Sequence, residues 1–280
     1  MKIRLSILLL FLAISGLTKA QTEIERLSWR MSALGFDMVE CRKDAERDSC
    51  IALFNENMDS LISMPGSFNH RFDSVANIRI LDAPNHSFRL LTWGFRHPND
   101  SFSFFGILQY ASQEKEAVWL RDSAHRLGNN DTAYHASLSP EKWYGSIYYQ
   151  IEKIKYKKEE YYLLVGWNGN TIKTDRKVVD VLSWNEFDEP VFGLPIFDVG
   201  ASSYQSRVIW EYKNGANMVL KIEPKEKLIV FEHTEPADSR ARGIYSLYLP
   251  DGTYDFFRYK KGRWIKETML YDHFKNPGRD

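Results

Sequence analysis

Residues 144–167 read YGSIYYQIEKIKYKKEEYYLLVGW and contain two strand patterns joined by a turn. From Ile147 to Glu152 the side chains alternate with a two-residue period, which is typical of a half-buried strand. The polar run Lys157–Glu159 interrupts the pattern, and Tyr161–Trp167 then forms a second apolar run. This stretch therefore predicts an antiparallel hairpin in a mainly β domain.

The same two-residue period recurs on both sides of this hairpin. It predicts strands at Asn77–Ala83, Phe88–Phe95, Phe102–Ala111, Ala117–Asp122, Tyr144–Tyr156, Tyr161–Trp167, Lys177–Trp184, Arg207–Tyr212, Met218–Glu223, Leu228–His233, Ile244–Leu249, Tyr254–Tyr259 and Trp264–Thr268. Tight turns are expected at Asn168-Gly169, Asn214-Gly215 and Asp251-Gly252, because these dipeptides accept positive φ. About a dozen antiparallel strands in hairpins and meanders are expected, as a barrel or a sandwich, with a small β-propeller as the alternative.

A short helical segment is predicted before the first strand. Thr22 and Glu25 have the spacing of a capping box, and Gly35 is expected to end the first helix. A second helix is expected from about Asp48 to just before Pro65. Each helix has one apolar stripe, so both are expected to pack on the β domain.

These patterns divide the chain into three parts. Residues 1–20 form a predicted signal peptide, residues 21–66 the helical segment, and residues 67–280 the antiparallel β domain. The irregular stretch 185–206 is rich in Pro and Gly and could join two halves of the β domain.

The first twenty residues have the pattern of a secretory signal. Lys2 and Arg4 precede an apolar run from Leu5 to Gly16, and Thr18-Lys19-Ala20 predicts cleavage before Gln21. A retained anchor helix is the alternative, although the apolar run is short for a membrane span. We therefore expect an exported protein of the periplasm, the cell envelope or the extracellular space.

The charge balance argues against nucleic-acid partners. Removing Lys2, Arg4 and Lys19 from the 37 basic residues leaves 34 against 37 acidic ones, a net charge of −3. Such a chain has no long-range field to attract a polyanion. No second apolar stretch is long enough for a membrane helix, so the processed chain is not expected to span a membrane.

Export also bears on the two cysteines. Cys41 and Cys50 are the only pair, and an oxidising compartment favours a disulfide between them. Nine residues of continuous helix would separate them by about 13 Å, so the bridge requires a break in the helix. Two free, buried thiols are the alternative.

Motifs for common catalytic chemistry are missing from the sequence. The seven histidines lie far apart, without HExxH or other zinc-ligand spacing. No G-x-S-x-G elbow and no Walker or Rossmann glycine loop occurs. We therefore predict no metal site, no cofactor and no catalytic residue.

Candidate binding residues come from the strand aromatics and from one charged segment. In doublets such as Tyr148-Tyr149 and Tyr161-Tyr162, one ring faces each side of the sheet, to be buried or exposed as a platform. A mixed-charge segment follows the strand Leu228–His233 and is either a functional loop or a solvated connection. The candidates are Tyr148, Tyr162, Trp167, His233 and Glu235.

The run Trp143-Tyr144-Gly145-Ser146-Ile147-Tyr148-Tyr149, followed by residues 161–170 (YYLLVGWNGN), resembles a signature of uncharacterised, signal-peptide-bearing bacterial envelope proteins. The similarity extends over most of the β region. It implies a Gram-negative envelope setting and no known activity or ligand.

The leading expectation is a non-catalytic exported protein that binds an envelope protein or a glycan through its β domain. A hydrolase of envelope or extracellular polymers is the alternative, with acid–base residues assembled from separate strands. A carrier of a small apolar ligand is a second alternative, and it requires a closed, hollow barrel.

Overall fold

Helices and strands are described by a computed structural model for residues 2–41, 43–75, 77–97, 101–127, 131–200 and 203–268, with side chains from Gln21 onward except Asp44. In this part of the chain, 14 strands form three separate sheets. The helices are α1 (Lys2–Glu40), α2 (Asp44–Ile62), α3 (Ala124–Leu127) and α4 (Asp131–His135). Residues 1–20 of the predicted signal peptide therefore have no described side chains, and the cleavage prediction remains open.

The helical segment is confirmed, but two of its predicted boundaries are wrong. Helix α1 runs without a break through Thr22, so the capping box does not begin a helix. Gly35 does not end α1 either, because the helix continues to Glu40. Gly35 instead lies where α2 approaches, with the ring of Phe54 3.7 Å from the position of an added Cβ.

The predicted disulfide is wrong, because both cysteines are free thiols. The break between α1 and α2 falls at Cys41 itself, whose Sγ lies 3.6 Å from Lys43 O and 3.5 Å from Glu46 Oε2. Cys50 lies six residues beyond Asp44, the first residue of α2, which is a rise of about 9 Å along the helix. The Cys41 sulfur contacts these two oxygens instead, and no sulfur–sulfur bond of about 2 Å joins it to Cys50.

The first sheet is an antiparallel meander in the order β1-β2-β3-β4. Its strands are β1 (Ile78–Asp82), β2 (Phe88–Arg96), β3 (Phe102–Tyr110) and β4 (Val118–Arg121). Strand β4 is shorter than β3, and their pairing ends at Phe105 and Arg121. The first three residues of β3 therefore have β2 on one side and no described strand on the other.

The second sheet has the order β10-β7-β6-β5, with β8 paired to β7. Its strands are β5 (Ile147–Tyr156), β6 (Glu159–Asn168), β7 (Thr174–Trp184), β8 (Pro190–Phe192) and β10 (Val208–Lys213). The stretch 185–206 is thus not wholly irregular, because it contains β8 and also β9 (Phe197–Asp198). Strand β10 returns to pair with β7, so all strands of the third sheet except β9 follow β10 in the chain.

The third sheet has the order β11-β12-β13-β14-β9, and only its β14–β9 pair is parallel among the described strand pairs. Its remaining strands are β11 (Leu220–Glu223), β12 (Leu228–Pro236), β13 (Tyr248–Lys260) and β14 (Arg263–Glu267). The hairpin turn predicted at Asp251-Gly252 is wrong. The pairing of β12 with β13 changes register between Glu232 and Thr234. Asp251 and Gly252 lie opposite this shift and form an irregularity inside the long strand β13, where Gly252 has φ 82°.

The sheets stack face to face, and the helices cover the outside of the first sheet. One apolar core joins α1 and α2 to the first sheet, including Phe54 and Trp93. A second core lies between the first and second sheets, and a third lies between the second and third sheets. The predicted mainly β, antiparallel fold behind a helical segment is confirmed. Within the described residues the sheets do not close into a barrel and are consistent with a sandwich.

This layering explains the aromatic doublets. The second sheet is covered on both faces, so neighbouring rings on one strand enter different cores. Tyr162 belongs to the core facing the first sheet, whereas Tyr161 belongs to the core facing the third. The same division separates Tyr148 from Tyr149. Among the described residues, no helix is both long enough and apolar enough to cross a membrane.

Candidate functional site

The open edge of the first sheet forms a cleft of about 510 Å³ where β4 ends before β3. The lining residues are Asn55, Phe102, Ser103, Phe104, Phe105, Trp119, Leu120, Arg121, Asp122 and His125. We call it the aromatic cleft. A concave site with apolar walls and a few polar groups is the usual form of a ligand-binding pocket.

The walls of the cleft are rings held in place from behind. Trp119 and Phe105 are half-buried, and both contact the buried ring of Trp93, with ring centroids 5.8 and 5.9 Å away. The Trp119 Nε1–H group also donates to Asp59 Oδ1 at 2.9 Å. These contacts restrict the rings, so that little conformational entropy is lost when a ligand binds.

Phe102 forms the other side of the cleft. It stacks on Phe104 at 6.0 Å and packs edge-on against Trp167 at 5.7 Å. Gly169 leaves room for this ring, because an added Cβ would lie 2.5 Å from it. Gly169, in the turn after β6, therefore allows the Phe102 ring to lie close to the backbone.

Asp122 lies at the floor of the cleft. Its carboxylate accepts hydrogen bonds from the backbone N–H groups of Phe104, Ala124 and Gly145, at 3.3, 2.9 and 3.3 Å. Burial raises the pKa of Asp122 above its usual range, although these three hydrogen bonds oppose the increase. Gly145 permits the approach, since an added Cβ would lie 2.4 Å from the carboxyl group. The Asp122 carboxylate thus accepts, from the Phe104 N–H group, a hydrogen bond that a paired strand would otherwise accept at this sheet edge.

Asn55 of α2 contributes an acceptor without a partner. Its Oδ1 atom is buried, and no hydrogen bond to it is formed within the described part of the chain. A buried carbonyl oxygen without a partner is unfavourable, so such atoms call for an explanation. Asn55 lines the aromatic cleft, but its Oδ1 is closed to solvent, so a ligand donor reaches this oxygen only if the amide group rotates into the cleft.

Exposed donors lie at the mouth of the cleft. Arg121 is paired with Glu141 at 2.7 Å, but both side chains are exposed, so the pair is weak and exchangeable. His125 is also exposed. The cleft can therefore offer apolar ring surface and polar side chains to one ligand.

The residues predicted from the sequence do not form one site. Tyr148 is fully buried; its hydroxyl accepts from Trp143 Nε1 at 2.9 Å and donates to Asp180 at 3.3 Å. Tyr162 is also buried and donates to Asn85. Both rings belong to the core between the first and second sheets, although Tyr162 also lines a separate cleft of about 340 Å³ with Tyr110 and Trp184.

Trp167, His233 and Glu235 lie elsewhere. Trp167 is half-buried and supports Phe102 from behind the aromatic cleft. His233 and Glu235 belong to β12, not to a loop, because this strand extends to Pro236. His233 Nδ1 lies 2.7 Å from Asp251 in an exposed cross-strand pair, and Glu235 is exposed.

The aromatic cleft was not predicted from the sequence. Asp122 ends the predicted strand Ala117–Asp122 and His125 follows it, at a place where functional side chains often collect, and the cluster Phe102–Phe105 carries three rings. These were the available signals. No comparable signal in the sequence indicates that β4 ends early and so opens the cleft.

Some of the other clefts are more polar. One of about 380 Å³ lies beside α1 and is lined by Trp29, Glu25 and His70. There Ser28 Oγ lies 3.0 Å from His70 Nε2, but this hydroxyl also donates to Ile24 O and is buried. Among the described residues no group of three His, Cys, Asp or Glu side chains could hold a metal ion.

The chain was compared with family models, curated proteins and solved structures, and none of them matches it.

Proposed function

We propose that this protein is an exported, non-catalytic binding module whose aromatic cleft holds a carbohydrate chain of the cell envelope. The observation that carries the proposal is the aromatic cleft itself, which has half-buried rings as walls and the polar side chains of Asn55, Arg121 and His125 in its lining. A ligand that presents a flat apolar face and hydrogen-bonding groups at its edge fits both features.

Sugars combine these properties. The C–H face of a pyranose can pack on the rings of Phe105 and Trp119, while its hydroxyl groups donate and accept at the rim. Asn55 supplies an acceptor, and Arg121 and His125 supply donors at the mouth. The net charge of −3 for the chain without residues 1–20 gives no general attraction for polyanions, so recognition has to come from this local geometry.

The arrangement favours a binder over a hydrolase. Glycoside hydrolysis commonly needs two carboxylates that flank the scissile bond. Asp122 is the one carboxylate among the described residues that line the cleft, and backbone N–H groups occupy its oxygens. The carrier alternative requires a hollow closed barrel, whereas the described sheets are separate and packed face to face.

Asn55→Leu tests the proposal. This substitution removes an unpartnered buried oxygen and keeps a similar volume, so we expect the melting temperature to stay the same or rise. The affinity for the cognate oligosaccharide should fall at least tenfold, because the ligand loses its acceptor. Isothermal titration calorimetry with a panel of envelope oligosaccharides measures the affinity.

Matched variants at the rim make the test specific. Arg121→Ala should weaken binding, whereas Glu141→Ala breaks the same surface ion pair and should leave the affinity unchanged. Equal affinities for the wild type, Asn55→Leu and Arg121→Ala would contradict the assignment of the cleft. Binding of peptides instead of sugars would indicate a protein partner, and release of shortened sugars would indicate a hydrolase.

Export rests on the pattern of residues 1–20 and is tested separately. The intact mass of the protein from the envelope fraction should correspond to a chain that begins at Gln21. A cytoplasmic protein that retains residues 1–20 would contradict export without affecting the cleft.

A further inference from the structure

Helix α1 has an apolar line on the side that faces away from the protein. Its inner side is buried, as Leu27 and Met31 show, while Trp29 is 70% exposed and Phe36 is 66% exposed. These two rings are seven residues apart, so they lie on the same side of the helix. Single exposed apolar residues are common, but two large rings in one line indicate a contact surface.

On one flank of this line the exposed charges differ in sign on the two sides of Ala33. Arg26 and Arg30 are exposed on its N-terminal side, and Asp37 and Glu40 are exposed on its C-terminal side. Two acidic residues also lie near Arg26: Glu23 pairs with it, and Glu25 lies on the other flank of the rings. At about 100° per residue, the four side chains fall within an arc of about 80° on one flank of the rings. The flank is therefore basic at one end and acidic at the other.

We infer that the outward side of α1 is a homodimer interface in which two copies of this helix pack antiparallel. A two-fold axis near Ala33 places Arg30 of each copy opposite Asp37 of the other, and Arg26 opposite Glu40. The same axis places Trp29 opposite Phe36. All three pairings have their midpoints within about one residue of each other, so one register satisfies them together.

Features of the helix agree with this register. Ala33 is small and exposed at the crossing point, so the two backbones can approach closely. A parallel pairing would instead place Arg26 opposite Arg26 and Glu40 opposite Glu40. The ion pair between Arg26 and Glu23 within one helix, at 2.5 Å, is exposed and can exchange for the partner's carboxylate.

The interface is small, because one helix face from each copy contributes to it. We expect a reversible dimer with a dissociation constant of about micromolar order. The dimer does not depend on the proposed glycan binding, because none of the α1 residues named here lines the aromatic cleft.

Sedimentation velocity over a concentration series tests the dimer with the purified chain in the form that the cell accumulates. The wild type should show a monomer–dimer equilibrium, and Trp29→Ala or Phe36→Ala should raise the dissociation constant at least tenfold. Phe187→Ala is the matched control, since it removes a 74% exposed ring between β7 and β8. All of these positions are exposed, so the variants should remain folded by circular dichroism.

A charge swap tests the register. Arg26→Glu with Arg30→Glu should weaken the dimer, and the effect should be larger at low salt. Adding Asp37→Arg and Glu40→Arg to the same chain should restore the dimer, because every cross-helix pair is again of opposite charge. A wild type that stays monomeric at several hundred micromolar would overturn the inference. So would a fourfold variant that fails to regain the dimer.

Discussion

At the scale of single residues, the most unusual side chain is Arg89, which is completely buried without a carboxylate partner in hydrogen-bond contact among the described residues. Its guanidinium donates to Gln109 Oε1 at 2.7 Å, His70 O at 2.6 Å and Ser67 O at 2.8 Å. Burial lowers the pKa of Arg89 to about 10. The Arg89 side chain thus links Ser67 and His70, in the connection after α2, to the first sheet.

Arg89→Ala should lower the free energy of unfolding by about 3 kcal/mol, because it leaves a cavity and unpartnered acceptors. Arg89→Lys should lose nearly as much, since an ammonium group cannot reproduce the planar fork that reaches three acceptors. Urea denaturation measures both values. Arg79→Ala, at an exposed position of β1, is the control and should change stability by less than about 0.5 kcal/mol. Full rescue by lysine would contradict the role of the fork.

At the scale of secondary-structure elements, glycine occupies two kinds of position: one where an added Cβ would fit and one where it would clash. Gly35 lies inside α1 with the nearest neighbours of an added Cβ at 3.7 and 3.8 Å, which is ordinary contact. Gly145 lies just before β5, where an added Cβ would meet the Asp122 carboxyl group at 2.4 Å. The sequence pattern alone does not distinguish these two glycines.

Gly35→Ala should therefore raise the free energy of unfolding by about 0.5–1 kcal/mol, as alanine reduces the freedom of the unfolded chain. Gly145→Ala should lower it by about 2 kcal/mol, because Asp122 must move from its backbone donors. The two variants serve as controls for each other in thermal or urea denaturation. The same sign of change in both would contradict the local geometry.

The two cysteines are unbonded although a helix break lies between them. Cys41 and Cys50 are free thiols, so the unfolded protein without reducing agent should react with two equivalents of a thiol reagent. Treatment with a reductant before unfolding is the control and should not increase this number. A value near zero that rises to two after reduction would demonstrate a disulfide.

At the scale of the whole molecule, a buried ion pair ties the second sheet to the segment around α4. Asp180 of β7 and Arg207 are both fully buried, with Asp180 Oδ2 3.2 Å from Arg207 Nε. The Arg207 guanidinium also donates to the carbonyls of Ala133, Ala136 and Phe192. The pair therefore lies where several parts of the chain meet.

Asp180→Ala should lower the free energy of unfolding by about 3–5 kcal/mol, because it leaves the Arg207 cation buried without its counter-charge. Asp180→Leu combined with Arg207→Met should cost clearly less than the sum of the two single substitutions, since no unpaired charge remains. Denaturation of all four proteins measures this coupling. Additive effects of the two single substitutions would contradict it.

The fold class follows from local chemistry that the sequence displays. Two-residue alternation in segments such as Tyr161–Trp167 predicts strands, because a strand turns successive side chains to opposite faces. The helical period before Met64 predicts helices for the corresponding reason. The turn prediction failed at Asp251-Gly252, because this turn dipeptide lies inside a long strand. There the irregular pairing with β12 accepts the positive φ that the dipeptide provides.

The candidate site depended on tertiary structure. The rings chosen from the sequence, Tyr148 and Tyr162, are core residues because the second sheet is covered on both faces, and alternation within one strand does not reveal what covers it. Phe105 and Asn55 meet in the aromatic cleft because β4 ends early and α2 packs on the first sheet. The sequence by itself determined most of the strands and the two long helices, since those depend on neighbours in the chain. It missed the short elements α3, α4, β8 and β9, and it predicted a strand at Ile244–Leu249, where Tyr245–Leu247 form a 3-10 helix. Which faces are buried, which thiols remain free and which side chains share a cleft depend on contacts between distant segments, and only the tertiary structure decided them.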